Sequence, residues 1–361
     1  MVKTLSTKMN TKMKTSLALK RLLILATGLA FALNTSYGQS KKAKPTSQVA
    51  PGLPYQTAID HAYEKYKNLK EGKNADYIKE LANVDPNIYG IAIITVDGQV
   101  FTKGDLDSRV SIQSISKVFT LAKVIEESGA EAVLQKIGVD ATGLRFNSIV
   151  AIELQKGKEI NPLVNPGAIA AVSMINGTDS SAKWKNIVKT YNDFAGSSLP
   201  LNQPVYVSEA GDNLRNQAIA HLLLAYGRMY FDPVQSTDVY TKQCAINVNA
   251  KDLAEMAATL ANGGTNPVTK MKVVSPETCA FTMSVMATAG LYDDSGQWLY
   301  EVGLPGKSGV GGGIIAVCPG KFGIAVISPP LDAAGNSVKA RKTITDIVRE
   351  LKLNPYLVQS K

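Results

Sequence analysis

The sequence predicts an α+β protein in which an antiparallel sheet is flanked by helices and interrupted by an inserted helical lobe. Three observations carry that prediction. Apolar, strand-like runs lie near both ends of the chain, at residues 90–96 early and at 313–317 and 322–328 late. Asp97-Gly98 and Pro319-Gly320 are turn dipeptides that fold such runs back on their neighbours. Between the two ends, apolar residues recur at helical spacing.

Taken in order, residues 1–38 are basic, then apolar, then small. Lys3, Lys8, Lys12, Lys14, Lys20 and Arg21 come without an acid, residues 22–33 are apolar or small, and Ser36-Tyr37-Gly38 follow. That order is a secretory signal, and it predicts a periplasmic or secreted protein. The apolar run is too short for a membrane span, which needs about 20 residues. An uncleaved membrane anchor is the alternative, and no stable membrane insertion is expected once the signal is gone. Its six basic residues account for the fall in formal charge from +9 to +3 on removal, so the basic balance does not argue for nucleic acid. Residues 39–50 are polar and basic and read as a linker. Residues 51–361 remain for one large domain.

Within it, residues 54–69 and 74–82 read as helices, 90–96 as a strand, and 99–102 as its hairpin partner. A helix is expected from about Ser114, because Val118, Leu121, Ala122 and Ile125 recur on one face. Further helices are expected at 168–174, 182–194, 214–229, 250–261 and 277–286, then the two late strands, and a closing helix at 338–351. Polar clusters around Asn147, Asn161-Pro162, Asn165-Pro166-Gly167, Ser208-Glu209, Arg215-Asn216 and Asp238-Val239-Tyr240 read individually as caps and turns.

Cys244, Cys279 and Cys318 are dispersed, with no C-x-x-C, so they define neither a disulfide framework nor a zinc site. They read as buried thiols, with one disulfide pair as the alternative. The two histidines, His61 and His221, lie in helix-like runs and read as structural. No H-E-x-x-H is present.

Chemistry is concentrated in Ser114-Ile115-Ser116-Lys117. Residues three apart on a helix are neighbours, so Lys117 reaches back to the Ser114 hydroxyl. Serine is a poor nucleophile until a base takes its proton, and a desolvated lysine with a lowered pKa is such a base. Some 190 positions later comes Lys307-Ser308-Gly309-Val310. S-x-x-K followed by K-[ST]-G is the pairing of penicillin-recognising serine enzymes, which predicts a serine β-lactamase/transpeptidase-like fold. In such a site the residue after the glycine, here Val310, offers an N–H to the oxyanion.

Around these motifs the chain also carries Ala75-Asp76-Tyr77-Ile78, Gly143-Leu144-Arg145-Phe146-Asn147, Asn161-Pro162-Leu163-Val164-Asn165, Ser208-Glu209, Arg215-Asn216, Val239-Tyr240 and Gly290-Leu291-Tyr292-Asp293. From about Gly72 to Val348 it resembles the serine-dependent glutaminases of the β-lactamase-like superfamily. The resemblance implies hydrolysis of L-glutamine to L-glutamate and ammonia, with Ser114 as nucleophile and Lys117 as general base. It implies Tyr292 as the proton relay to the departing ammonia, and the N–H groups of Ser114 and Val310 as the oxyanion hole. Tyr77, Asn147, Glu209, Asn216 and Tyr240 would hold the amino-acid end of glutamine. It implies no metal or organic cofactor, no nucleic-acid partner, and assembly as a homodimer or homotetramer. The chain departs from the family pattern at Pro166, where alanine is usual, and at Gly306 before Lys307, again in place of alanine. A β-lactamase or a peptidoglycan transpeptidase shares both motifs but would carry an S-D-N between them, which is missing here. A non-enzymatic amino-acid-binding protein would be expected to have lost Ser114 or Lys117.

Overall fold

The computed structural model describes residues 53–154 and 160–358. The predicted signal and linker at 1–50 therefore lie outside the described residues. Helix α1 (Leu53–Tyr66) and the single turn α2 (Lys79–Ala82) precede the hairpin of β1 (Gly90–Thr95) and β2 (Val100–Gly104). Strand β3 (Val110–Ser111) leads through a 3-10 turn (Gln113–Ile115) into α3 (Ser116–Ser128). The helical lobe continues with α4 (Ala130–Lys136), α5 (Val150–Leu154), α6 (Asn165–Met174), α7 (Ser180–Ala195), α8 (Gln203–Gly211), α9 (Leu214–Ala225) and α10 (Pro233–Cys244). Strand β4 (Asn247–Val248) returns to pair with β3, and α11 (Ala250–Ala261), α12 (Pro276–Ala289) and α13 (Ser295–Val302) follow. Strands β5 (Gly306–Gly309), β6 (Gly313–Cys318) and β7 (Phe322–Ile327) and helix α14 (Val338–Glu350) close the fold.

The main sheet is antiparallel with strand order β2-β1-β7-β6-β5, so the first and last strands of the chain meet in its middle. Both of its faces are covered, which is why β1, β6 and β7 read as unbroken apolar runs. Side chains still alternate. Ala92, Ile94, Ile315, Val317, Ala325 and Ile327 face the helical lobe, whereas Ile91, Ile93, Ile314, Ala316, Ile324 and Val326 face α1, α14 and Trp298 of α13.

Two expected helices end differently. Residues 74–78 are not helical: Lys73 and Leu331 exchange backbone hydrogen bonds at 3.0 and 2.8 Å, and the Asn74 amide donates to the Val84 carbonyl at 2.7 Å, which ties this stretch down outside the helix and leaves only α2. The helix expected to reach 229 stops at Ala225. Gly227 has φ 68°, its N–H bonds the Leu224 carbonyl, and the Arg228 N–H bonds the Leu223 carbonyl. That is the paired stop of a Schellman ending.

Candidate active site

Ser114, the expected nucleophile, sits on a constrained turn. Strand β3 and its partner β4 fix the approach, and the Ile112 N–H adds a bond to the Ile246 carbonyl at 2.7 Å. Gln113 then takes φ 50°, in the left-handed region that side chains disfavour. Such a residue costs about 1–3 kcal/mol and needs support from its surroundings. Its amide supplies that support by donating to the Ser111 hydroxyl at 3.1 Å and to Glu209 Oε1 at 2.9 Å. Ser114 follows, buried, at the mouth of α3.

One turn on, Lys117 is buried as well, and its Nζ lies 2.6 Å from Ser114 Oγ. Its second partner is Asn165 Oδ1, at 2.8 Å. Burial pushes the Lys117 amine down to about 8, against the opposing charges of Cys244 and Glu209. That drop corresponds to about 3 kcal/mol in favour of the neutral amine. A neutral amine has two N–H bonds and one lone pair. The donation to Asn165 uses an N–H and leaves the lone pair free to meet the Ser114 hydroxyl.

Asn165 is the residue that sequence reasoning left inside a turn motif. It opens α6, and its backbone N–H is held by the Phe146 carbonyl at 2.7 Å. Its Oδ1 also accepts from the Tyr240 hydroxyl at 3.0 Å, and its Nδ2 donates to Asn216 Oδ1 at 3.0 Å. One amide thus joins the lysine of α3 to residues of α9 and α10. Pro166 falls in the first turn of α6, where a missing N–H has no helical partner to lose. The departure from the family pattern at Pro166 therefore leaves an ordinary helix start.

Glu209 lies on α8, inside a helix and not in a cap. Besides Gln113, its Oε1 accepts from the Tyr77 hydroxyl at 2.9 Å. Burial raises its pKa, while these two hydrogen bonds and the charge of Lys117 hold it down. It has no ion-pair partner among the described residues, so the carboxylate presents an unmatched negative charge beside Ser114.

Across the site, Tyr292 begins a 3-10 turn with φ 54°, a second side-chain-bearing residue in the left-handed region. Its hydroxyl meets Ser114 and donates to the Ser308 carbonyl at 3.4 Å, and burial pushes it up to about 12. Its ring packs on Phe146 with centroids 5.2 Å apart. Val310 stands on the tight turn after β5, which presses against the nucleophile's turn. A Cβ on Gly309 would come within 2.7 Å of the Ile112 carbonyl, and one on Gly311 within 2.1 Å of the Ser111 carbonyl, so only glycine permits this approach. Gly306 has its own cause, since a Cβ there would lie 2.8 Å from the buried Trp298 indole.

The network therefore gathers Ser114, Lys117, Tyr292, Glu209, Tyr77, Asn216 and Tyr240, with Val310 on the adjoining turn. Asn147 joins the neighbourhood through its backbone carbonyl, which accepts from Arg215 Nε at 3.1 Å. His61 pairs with Glu350 and His221 bonds the Gln217 carbonyl, both on the surface, and the three cysteines are buried and unpaired. Among the described residues no group of three or more His, Cys, Asp or Glu is placed to hold a metal, and no helix is long and apolar enough to cross a membrane. An apolar cavity of 210 Å³ among Leu121, Ile125, Val133 and Phe281 includes none of the polar groups above, whereas a smaller one of 160 Å³ bordered by Gly143, Asn161 and Val164 reaches Tyr292. A buried serine beside a buried amine, bordered by a phenol and an unmatched carboxylate, suits acyl transfer from a substrate carrying a cation.

The family model described as Glutaminase matches residues 72–356. A glutaminase of Colwellia psychrerythraea is 51% identical over 301 residues, covering 83% of this chain and 97% of that protein. Glutaminase 1 of Shigella flexneri is 47% identical over 301 residues, again covering 83% and 97%. The solved structure of the probable glutaminase ybaS superposes with a TM-score of 0.83 at 46% identity, covering 84% of this chain and 99% of that one.

Proposed function

The chain belongs to the glutaminase family, with its β-lactamase-like fold, and hydrolyses L-glutamine to L-glutamate and ammonia; from that premise we propose that the reaction runs through an acyl-enzyme on Ser114 with Lys117 as its base. Neutral Lys117 takes the hydroxyl proton as Ser114 Oγ bonds the side-chain carbonyl carbon of glutamine. The oxyanion is received by the N–H groups of Ser114 and Val310. As the carbon–nitrogen bond breaks, Tyr292 gives its proton to the departing nitrogen, and the Lys117 ammonium returns one to the phenolate. Water then attacks the ester with Lys117 again as base, and glutamate leaves with Ser114 restored. Glu209, with Tyr77 beside it, faces the α-ammonium. Asn147, Asn216 and Tyr240 hold the remaining end of the substrate, and Asn165 ties that end to the base. No metal or organic cofactor enters this scheme.

The observation that carries the reading is the 2.6 Å contact of Lys117 Nζ with Ser114 Oγ, made by an amine that burial brings down to about 8. Acid quenching during turnover, followed by peptide mass spectrometry, should find a γ-glutamyl group on the Ser114 peptide. Ser114→Ala should abolish both the adduct and nearly all turnover while glutamine still binds. Substantial turnover by that variant would sink the covalent route.

We further propose that the protein is exported and acts as a homodimer or homotetramer. The basic and apolar pattern of residues 1–38 supports export, and N-terminal sequencing of the native protein should find a start near Gln39. Sedimentation of that mature chain reads the assembly, and a monomer at working concentration would exclude it.

A further inference from the structure

The acyl-transfer scheme asks Tyr292 to aim its phenol, yet its own turn does little to hold it. The residue opens the 3-10 turn Tyr292–Asp294 with φ 54°. Ser295 Oγ accepts from the Leu291 N–H at 3.0 Å and donates to the Tyr292 carbonyl at 2.8 Å, which closes the turn on itself and ties it to nothing outside. Beside Asp293 and Gly296 lies the 160 Å³ cavity, so on that flank the turn has room to move.

The last residue of the turn supplies an anchor. Asp294 Oδ2 accepts from Arg341 Nη1 of α14 at 2.9 Å and from Asn336 Nδ2 at 3.2 Å. Nη2 of the same guanidinium donates to Glu301 Oε2 at 3.2 Å, so one arginine grips both ends of α13. Hydrogen bonds to a charged group are stronger than neutral ones.

The loop before α14 is a firm base for this grip. Asp332 Oδ1 accepts from the Ala334 and Asn336 N–H groups at 3.0 and 2.9 Å, and the Asp332 N–H donates to the Asn336 carbonyl at 2.8 Å. Ser337 caps α14 and donates to the Ser328 carbonyl at 2.6 Å, which pins the loop to the chain just after β7. The same loop borders the reaction, since a methyl built on Gly335 would lie 3.7 Å from Val310 Cγ1 and 3.8 Å from Tyr292 Cε2. Asn336 is fully buried, and its Oδ1 has no hydrogen-bond partner among the described residues. An apolar side chain of similar size would fill that space without stranding a polar atom. Packing alone therefore does not account for an amide there, and its bond to Asp294 does. We propose that Asp294, gripped by Arg341 and Asn336, is a positioning residue for this reaction: the latch fastens the Tyr292 turn to the loop before α14 and so aims the phenol at the departing nitrogen. Its effect is exerted through Tyr292, so the inference rests on the relay role assigned to that tyrosine above.

The test compares substrates whose leaving groups differ in their need for a proton. The side-chain nitrogen of L-glutamine needs one to depart, whereas 4-nitrophenolate, leaving from the γ-(4-nitrophenyl) ester of L-glutamate, does not. Tyr292→Phe should lower kcat for glutamine by about a hundredfold or more and lower the ester rate far less, the range expected for a lost general acid. Asp294→Ala should reproduce the split, with a loss on glutamine of at least about tenfold in kcat and little change in KM. Asn336→Leu, which removes one of the two latch bonds and fills the space, should split the substrates in the same direction by a smaller factor. Added to Tyr292→Phe, Asp294→Ala should cost nothing further on glutamine. A latch that only stabilised the fold would lower the melting temperature and leave both rates unchanged or slow both alike. Either result, or a loss that multiplies that of Tyr292→Phe, overturns the proposal. If Tyr292→Phe itself shows no split, the relay role falls first, and the two failures are told apart. Should Asp294→Ala not fold, as read by its thermal melt, Asp294→Asn keeps the size without the charge and must show the same split, and an equal effect on both substrates by that variant overturns the proposal.

Discussion

In the proposed route Lys117 has to lose a proton before it can take one from Ser114, and that requirement sets a pH dependence. Its amine titrates near pH 8, lowered by burial, so the neutral form grows about tenfold per pH unit below that point and saturates above it. kcat/KM for glutamine should climb through pH 6 and 7 and level off above about 8, falling again where glutamine loses its α-ammonium. A profile already flat at pH 5 would remove Lys117 as the base. Glu209 sets the second expectation at this scale. Its carboxylate accepts from Gln113 and Tyr77 and forms no ion pair among the described residues. Glu209→Gln should cost about 2–5 kcal/mol of transition-state binding, or tens- to thousands-fold in kcat/KM. The wild type should discriminate strongly against des-amino glutamine (glutaramic acid), and the variant much less. Equal discrimination by both would clear Glu209 of reading the ammonium. Ser114, Lys117 and Lys307 were legible because their chemistry is written in local spacing. Asn165 was not, since N-P-G reads as a turn. Its value comes from where α6 begins relative to α3, α9 and α10, which spacing along the chain does not encode.

Whole elements explain the remaining differences between pattern and structure. Helices α8 and α10 escaped the periodicity because α8 is short and buries Val205 alone, while α10 buries polar side chains such as Ser236, Thr237 and Gln243, yet each begins on a legible cap: Asn202 accepts from the Val205 N–H, Asp232 accepts from the Gln235 N–H, and prolines occupy their first turns. Reading Ser208-Glu209 and Asp238-Val239-Tyr240 as turns hid that Glu209 and Tyr240 project from rigid helices. The stop of α9 was equally available in Gly227 and was overrun by continuing apolar spacing. Conversely, the non-helical path at 74–78 follows a bridge from Lys73 to Leu331, more than two hundred positions away, and no local reading reaches it. The turn after β5 yields the prediction at this scale. Gly311→Ala places a methyl 2.1 Å from the Ser111 carbonyl, a backbone atom, so the turn must back away from Ser114. Displacing a catalytic group by about 1 Å is enough to lose on the order of a hundredfold in rate, while overpacking of this kind costs about 1–3 kcal/mol of stability. The variant should therefore melt a few degrees lower but lose kcat by about two orders of magnitude. Full activity would mean that this turn does not shape the oxyanion site.

At the scale of the molecule, a single sheet divides two apolar cores, and the site lies on the helical side of its edge strand β5. That division was visible beforehand in the unbroken apolar runs of β1, β6 and β7, which demand cover on both faces. The strand order was not visible, since apolar runs do not name their neighbours. It has a consequence for how the chain is made. β1 is hydrogen-bonded along its length to β7, Gly90 opposite Ile327 and Thr95 opposite Phe322. A nascent chain emerging from the ribosome cannot complete this pairing until nearly all of its codons have been read. A chain ending at Cys318 should accordingly remain sensitive to brief proteolysis throughout, helical lobe included, and a protease-resistant lobe from it would show that the sheet is not needed to hold that lobe. Under the export proposed above, late closure of the sheet would be an asset: the polypeptide would stay slack and threadable during its passage, and tighten only once β7 had arrived on the far side.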